Sequence, residues 1–217
     1  MSAAAHPYLT PEQYLEIERK AETRSEYYNG RMYAMSGGAF RHVQIISNFA
    51  AELHDRLRGK PCDVLSSDMR TVAAGIYTYP DIVITCDEPR FAHGQKDTLL
   101  NPTIVIEVLS PSTEAYDRGM KSAHYRRVES LREYAIVSQI EPRVEVFRRQ
   151  TNGDWVMSEY IGLDAVCRFE SVDCAVPLSE IYRRVVFNAE ERKPDALLRY
   201  QFKTGFSSIS TLTGHPT

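Results

Sequence analysis

Two acidic residues stand inside stretches that otherwise read as buried strand: Asp81 in TYPDIVITCDEP, residues 78–89, and Glu107 in PTIVIEVLSPST, residues 102–113. An ionised carboxylate among apolar side chains is costly unless it is paired, protonated or bound to a metal. If the two strands are neighbours, the oxygens of Asp81 and Glu107 can converge on one cation, and the backbone carbonyl of Val108 can supply a third ligand. Few hard oxygen ligands, with water completing the shell, suit Mg²⁺ or Mn²⁺. The alternative is structural: each carboxylate pairs with its own arginine or lysine, or caps a neighbouring element. Asp117, Lys121 and Tyr125 follow at intervals of four, one stripe of a helix. An exposed Asp117–Lys121 pair of this kind is worth only ~0.3–0.5 kcal/mol.

These residues need elements to hold them. Thr10, Pro11 and Gln13 carry the spacing of a capping box with proline in the first turn, so a helix is predicted from there to about Ala21. Asn29-Gly30 between aromatic and aliphatic stretches predicts a hairpin. From Phe40 to Arg58 the apolar residues Phe40, Val43, Ile46, Phe49, Leu53 and Leu57 step by three or four, an amphipathic helix that stops at Gly59 and Pro61. His42 falls in the same sector of that helix as Ile46, Phe49 and Leu53. It is either a proton carrier or phosphate contact over the metal, or a satisfied core histidine. Strands are expected at 63–66, 70–74, 80–85 and 103–109, the last two apolar on consecutive positions and so covered on both faces. Ser112 or Thr113 caps a helix from about Glu114 to Val128. EYAIVS and RVEVFRR then pair about Glu141-Pro142, DWVMSEYI and the run to Val176 add strand, and LSEIYRRV is a short helix. The order implies one α/β domain with terminal additions. Residues 1–25 form an N-terminal helical extension, 26–185 the domain and 186–217 a tail, Ser/Thr-rich past Tyr200.

The motifs together resemble a known family. The Pro80-Asp81 pair, followed by Glu107 in an apolar strand, resembles the PD-(D/E)XK nuclease motif. EYYNGRMYAMSGG with His42, YPDIVI, and NPTIVIEVLSPST followed by Asp117, Lys121 and Tyr125 look like the Uma-two family of the restriction-endonuclease-like superfamily, over roughly residues 10–185. The resemblance implies a central mixed β-sheet flanked by helices, with a divalent metal at Asp81 and Glu107. It also exposes a departure, since Leu109 stands two places after the glutamate, where the nuclease motif has lysine. That lysine orients the attacking water while the metal offsets charge on the phosphate. Lys121, on the helix leaving the end of the glutamate's strand, is the candidate to replace it. Glu26 resembles the family's acidic position before the hairpin, as a water-mediated ligand or an edge-strand ion pair, and Asp68 is a weaker candidate of the same kind. Tyr125, Ser110 and Gly37-Gly38 are expected to serve shape, the glycines turning the chain into a helix whose first amides could accept an anion.

The bulk properties narrow the remaining possibilities. With 217 residues, 43% hydrophobic and 25% charged, the chain is long enough for a sizeable core and reads as soluble and globular. No signal-peptide pattern or bilayer-length apolar run is present, so the cytoplasm is the expected location and no membrane partner is expected. The four cysteines form no C-x-x-C pair and are expected to be buried or half-buried thiols. A net charge of −3 gives no global field for nucleic acid, leaving a local strip of Arg118, Lys121, Arg126 and Arg127 to meet phosphates. The P-loop, dinucleotide, zincin and serine-hydrolase motifs are absent. Two functions remain in view: a metal-dependent endonuclease acting on nucleic acid, DNA foremost, and a non-catalytic nucleic-acid-binding or regulatory module that keeps the nuclease fold. A homodimer is plausible through apolar edges of the C-terminal strands and SLREYAIV.

Overall fold

The structure, a computed structural model, describes residues 8–35 and 37–188; the tail past Tyr200 lies outside them. At Thr10 the expected capping box forms: its hydroxyl accepts from the Gln13 amide, and the Gln13 side chain accepts from the Thr10 amide. The helix it starts, α1 (Pro11–Glu18), ends sooner than Ala21 and sets Tyr14 and Leu15 against Tyr27 and Tyr77. Asn29 and Gly30, both at positive φ, turn the chain between β1 (Ser25–Tyr28) and β2 (Arg31–Ala34). Next comes α2 (Phe40–Arg56). Its buried face starts at Ile45, whereas Phe40 and Val43, expected on the core face, are exposed at 82% and 49%.

The expected strands appear as β3 (Cys62–Ser66), β4 (Arg70–Ala73), β6 (Ile82–Cys86) and β8 (Ile104–Val108), with two short unpredicted ones between them, β5 (Ile76–Thr78) and β7 (Thr98–Leu99). The helix after β8 is not continuous α-helix: α3 (Glu114–Tyr116) passes through a π-helical turn, Asp117–Lys121, into α4 (Ser122–Tyr125). Neither Ser112 nor Thr113 caps it by side chain; the Ser110 hydroxyl instead accepts from the Thr113 amide. The strand pair expected around Pro142 is β9 (Glu133–Val137) and β10 (Arg143–Arg149). It is followed by β11 (Trp155–Ile161), β12 (Val166–Phe169), β13 (Cys174–Pro177) and the short α5 (Leu178–Ile181).

A mixed sheet in the order β11-β10-β9-β8-β6-β3 forms the centre, as expected, with β8 and β9 parallel across the helical connection. A second sheet, β2-β1-β5-β4-β7, was not anticipated, and β12 and β13 form a separate ribbon. The central strands are buried on both faces. Ile104, Ile106 and Val108 of β8 face one layer with Ile45, Phe49 and Leu53 of α2. Val105 and Leu109 face the other, which includes Tyr125 after the π turn and Ala73 and Ile76 of the second sheet. SLREYAIV lies largely in β9, between β8 and β10, and so offers no free edge; the edge of the central sheet on that side is β11. Cys62 and Cys86, expected as thiols, are register partners on β3 and β6 and are joined as a disulfide, which the antiparallel pairing makes possible and the spacing of cysteines along the chain could not reveal.

Candidate active site

Strand alternation places the two acids together. Ile82 pairs with Ile106 on antiparallel β6 and β8, so the next position outward on each strand is Asp81 and Glu107. Side chains two apart share a face, and Glu107 therefore joins Val105 and Leu109 on the side turned towards the π turn and the second sheet. The strands are also joined here through a side chain: the Val108 amide donates to Asp81 Oδ2 at 2.7 Å. Leu109, at the position of the motif lysine, is buried in the apolar layer.

The lysine enters from the π turn. Its wider winding shifts the register by one residue relative to α-helix, and both Asp117 and Lys121 point inward, 3% and 5% exposed. Lys121 Nζ lies 2.9 Å from Glu107 Oε1, 3.1 Å from Glu26 Oε1 and 3.6 Å from Asp117 Oδ1. The sequence reading allowed an ordinary surface ion pair between Asp117 and Lys121; the pair is instead buried inside a four-residue charge cluster. Burial pulls the Lys121 ammonium down, but Glu107, Glu26 and Asp117 outweigh it and hold it well above its ordinary range. Burial pushes Glu107 well up, Asp117 and Asp81 add to that, and Lys121 opposes it. Asp117 is raised by burial as well, against the pull of Lys121. Glu107 Oε1 meets the Lys121 ammonium, its one close donor among the described residues.

Glu26, on β1, accepts a 2.5 Å hydrogen bond from the Thr78 hydroxyl at the end of β5. The second sheet thus supplies a side to the site that the sequence reading did not foresee. His42 in the first turn of α2 sets Nε2 3.2 Å from Asp81 Oδ1 and Nδ1 3.1 Å from Gln139 Nε2. The Gln139 side-chain nitrogen also donates to the Leu109 main-chain carbonyl, and Arg41 Nη1 donates to the Gln139 main-chain carbonyl at 3.2 Å. Gly38 keeps this place open, since a Cβ there would stand 2.6 Å from the His42 ring. Gln139 and Thr78 were missed because nothing in their spacing marks them; only the fold brings them to the cluster.

The structure thus gathers Asp81, Glu107, Lys121, His42 and Glu26 in one place, with Asp117 as a sixth member. Asp68 stays outside, exposed and 3.7 Å from Arg24. The expected basic strip is not one surface. Lys121 is buried, and the Arg118 guanidinium donates to both Glu145 oxygens at 2.7 and 2.8 Å and to Glu114 at 3.1 Å. Tyr125 is fully buried and packs on Tyr134.

Among the described residues no three His, Cys, Asp or Glu side chains form a ready metal cage. The expected ligand set has two carboxylates and a carbonyl, which is the sparse protein contribution that Mg²⁺ accepts while keeping several waters. What fits such an ion is the excess of carboxylates over ammonium, Glu26, Glu107 and Asp117 sharing the single charge of Lys121.

Residues 11–173 match the Uma2 family, described as "Putative restriction endonuclease". An uncharacterized protein of Synechocystis sp. is 35% identical over 189 residues, which span 85% of this chain and 97% of that protein. A second one from the same organism is 29% identical over 171 residues, covering 78% and 97% respectively. A crystal structure described as a "putative nuclease belonging to DUF820", from Anabaena variabilis, superimposes with a TM-score of 0.68 at 19% identity over 82% of this chain and 99% of that one. This last similarity is one of fold.

Proposed function

Because the chain belongs to the Uma2 family, we propose that it is a Mg²⁺- or Mn²⁺-dependent endonuclease hydrolysing phosphodiester bonds of nucleic acid, DNA foremost. Charge supports this reading most. Glu26, Glu107 and Asp117 share one buried ammonium, Asp81 adds its charge beside Glu107, and a divalent cation relieves that imbalance. Asp81, Glu107 and the Val108 carbonyl would hold it; an extended residue turns its N–H and C=O to the same edge, and the Val108 N–H already reaches Asp81. The ion would offset charge on the phosphate and acidify a bound water.

The protein's own part follows from geometry. Lys121, held charged, serves as a donor, orienting the attacking water or a phosphate oxygen as charge grows there. Glu26 and Asp117 aim its ammonium, and Thr78 aims Glu26. Water oxygen bonds to phosphorus and gives up a proton to solvent, the ester P–O bond breaks, and the departing oxygen takes a proton from solvent to leave as an alcohol, phosphorus remaining in a phosphate monoester. The second reading, a non-catalytic module, draws on Leu109 in the lysine position and on the depth at which Lys121 is enclosed.

Mn²⁺-dependent cleavage of single- and double-stranded DNA, with Asp81→Ala as control, separates the two. Cleavage by the parent and none by the variant is expected; cleavage that survives the substitution discards the site. Calorimetry of Glu107→Gln checks coordination separately, since unchanged Mn²⁺ affinity would remove Glu107 from the ligand set.

A further inference from the structure

The ring of His42 touches two partners whose chemistry fixes where its proton sits. Gln139 Nε2 lies against the Leu109 carbonyl oxygen, an acceptor and nothing else. That contact requires the amide nitrogen, not the amide oxygen, on this side of Gln139, which removes the usual ambiguity of amide orientation. The same nitrogen stands 3.1 Å from His42 Nδ1. An amide nitrogen can only donate, so Nδ1 must accept and carries no proton. The ring proton is therefore on Nε2, which donates to Asp81 Oδ1 at 3.2 Å.

We infer that Gln139 is a positioning residue: by holding His42 in its Nε2–H tautomer, it makes the imidazole a donor that orients the Asp81 carboxylate. This rests on the proposed function for its consequence, though not for its geometry. With His42 on Oδ1 and the Val108 amide on Oδ2, the plane of Asp81 is set from both sides. Its remaining lone pairs are left for the ion that it shares with Glu107. Partners behind a ligating carboxylate tune metal affinity in this way. The assignment also narrows the chemistry of His42, because a ring nitrogen that is donating to Asp81 is not a general base for water. Two further features hold the arrangement: Arg41, next to His42, binds the Gln139 main-chain carbonyl, and Gly38 leaves room for the ring.

The test is ¹⁵N spectroscopy of the imidazoles in metal-free protein, with His42 assigned through His42→Asn. A protonated Nε2 and bare Nδ1 are expected in the parent. In Gln139→Leu, signal should move towards the Nδ1–H form, and in Gln139→Glu, whose carboxylate accepts from Nδ1 while Asp81 accepts from Nε2, towards the ring protonated at both nitrogens. A parent in the Nδ1–H form, or spectra unchanged in both variants, overturns the inference. Calorimetry with Mn²⁺ should show a roughly 10–100-fold loss of affinity in Gln139→Leu; equal affinity overturns the positioning role. If the parent binds no Mn²⁺ while the spectra shift as expected, the proposed function fails and the tautomer assignment stands.

Discussion

Lys121 is the residue on which the site turns. Its removal leaves Glu26, Glu107 and Asp117 crowded without their cation, so Lys121→Met should cost about 3–5 kcal/mol in urea unfolding, as breaking a buried pair does. Cleavage by Lys121→Met should fall by ~10²–10³-fold, the scale of losing one transition-state donor, and adding Glu107→Gln should return part of the stability without restoring cleavage. Gly38 gives the opposite pattern. Its backbone is not in the left-handed region, yet an added Cβ would press on His42. Gly38→Ala should therefore change unfolding by no more than about 1 kcal/mol, strain against the ring offsetting the lost glycine freedom, while Mn²⁺ affinity falls by about tenfold through displaced His42. At this scale Asp81, Glu107 and Lys121 were legible, since charged residues inside apolar strands and at helical spacing stand out. Gln139 was not, because its importance comes from touching Leu109 and His42, which are remote in sequence.

The second sheet contributes Glu26 and Thr78 and is tied together around Arg70. The guanidinium donates to Thr98, to the Tyr79 hydroxyl and to Asp97, and Arg19 of the segment after α1 also binds Asp97. Through Tyr79, which donates to Glu18 and is pushed by burial up to about 12, the network also grips α1. The helix expected as an extension is thus bonded into the sheet that carries Glu26. Burial pushes Asp97 up, but hydrogen bonds from Arg19 and Thr98 and the charge of Arg70 outweigh it and leave the carboxyl below its usual range. A depressed folded value means that the stabilisation is present above the unfolded value near 3.8 and is lost as pH falls through the folded one. Asp97→Asn should lower stability at neutral pH by ~1–3 kcal/mol, and its stability should fall less steeply below pH ~4 than the parent's, as read from urea midpoints across pH. None of this sheet's pairing was readable beyond the hairpin. β5 and β7 are three and two residues long, too short for any periodicity to show.

Across the whole molecule, charge decides how a polyanion would be met. The chain is net negative, and no helix among the described residues is long and apolar enough to cross a membrane. Arg118 and Lys121 are neutralised by carboxylates, but Arg126, Arg127 and Arg132 make no ion pair among the described residues. Arg149 joins that end of the molecule by donating to the Arg126 and Val128 carbonyls. Arg126→Ala with Arg127→Ala should weaken binding to DNA of any sequence and reduce the salt slope by about 1–2, measured by anisotropy at several salt concentrations. Local order sufficed for what the sequence by itself determined: the capped first helix, the Asn29-Gly30 hairpin, the two apolar strands with a carboxylate in each, and the stripe of Asp117, Lys121 and Tyr125. Caps, turns and alternation act between residues a few positions apart, so they are written in the chain. The π turn, the second sheet, the Cys62–Cys86 bond and the Gln139–His42–Asp81 contacts were decided only by tertiary structure. Each joins groups that meet because two layers pack, and that packing depends on the shape of the whole core.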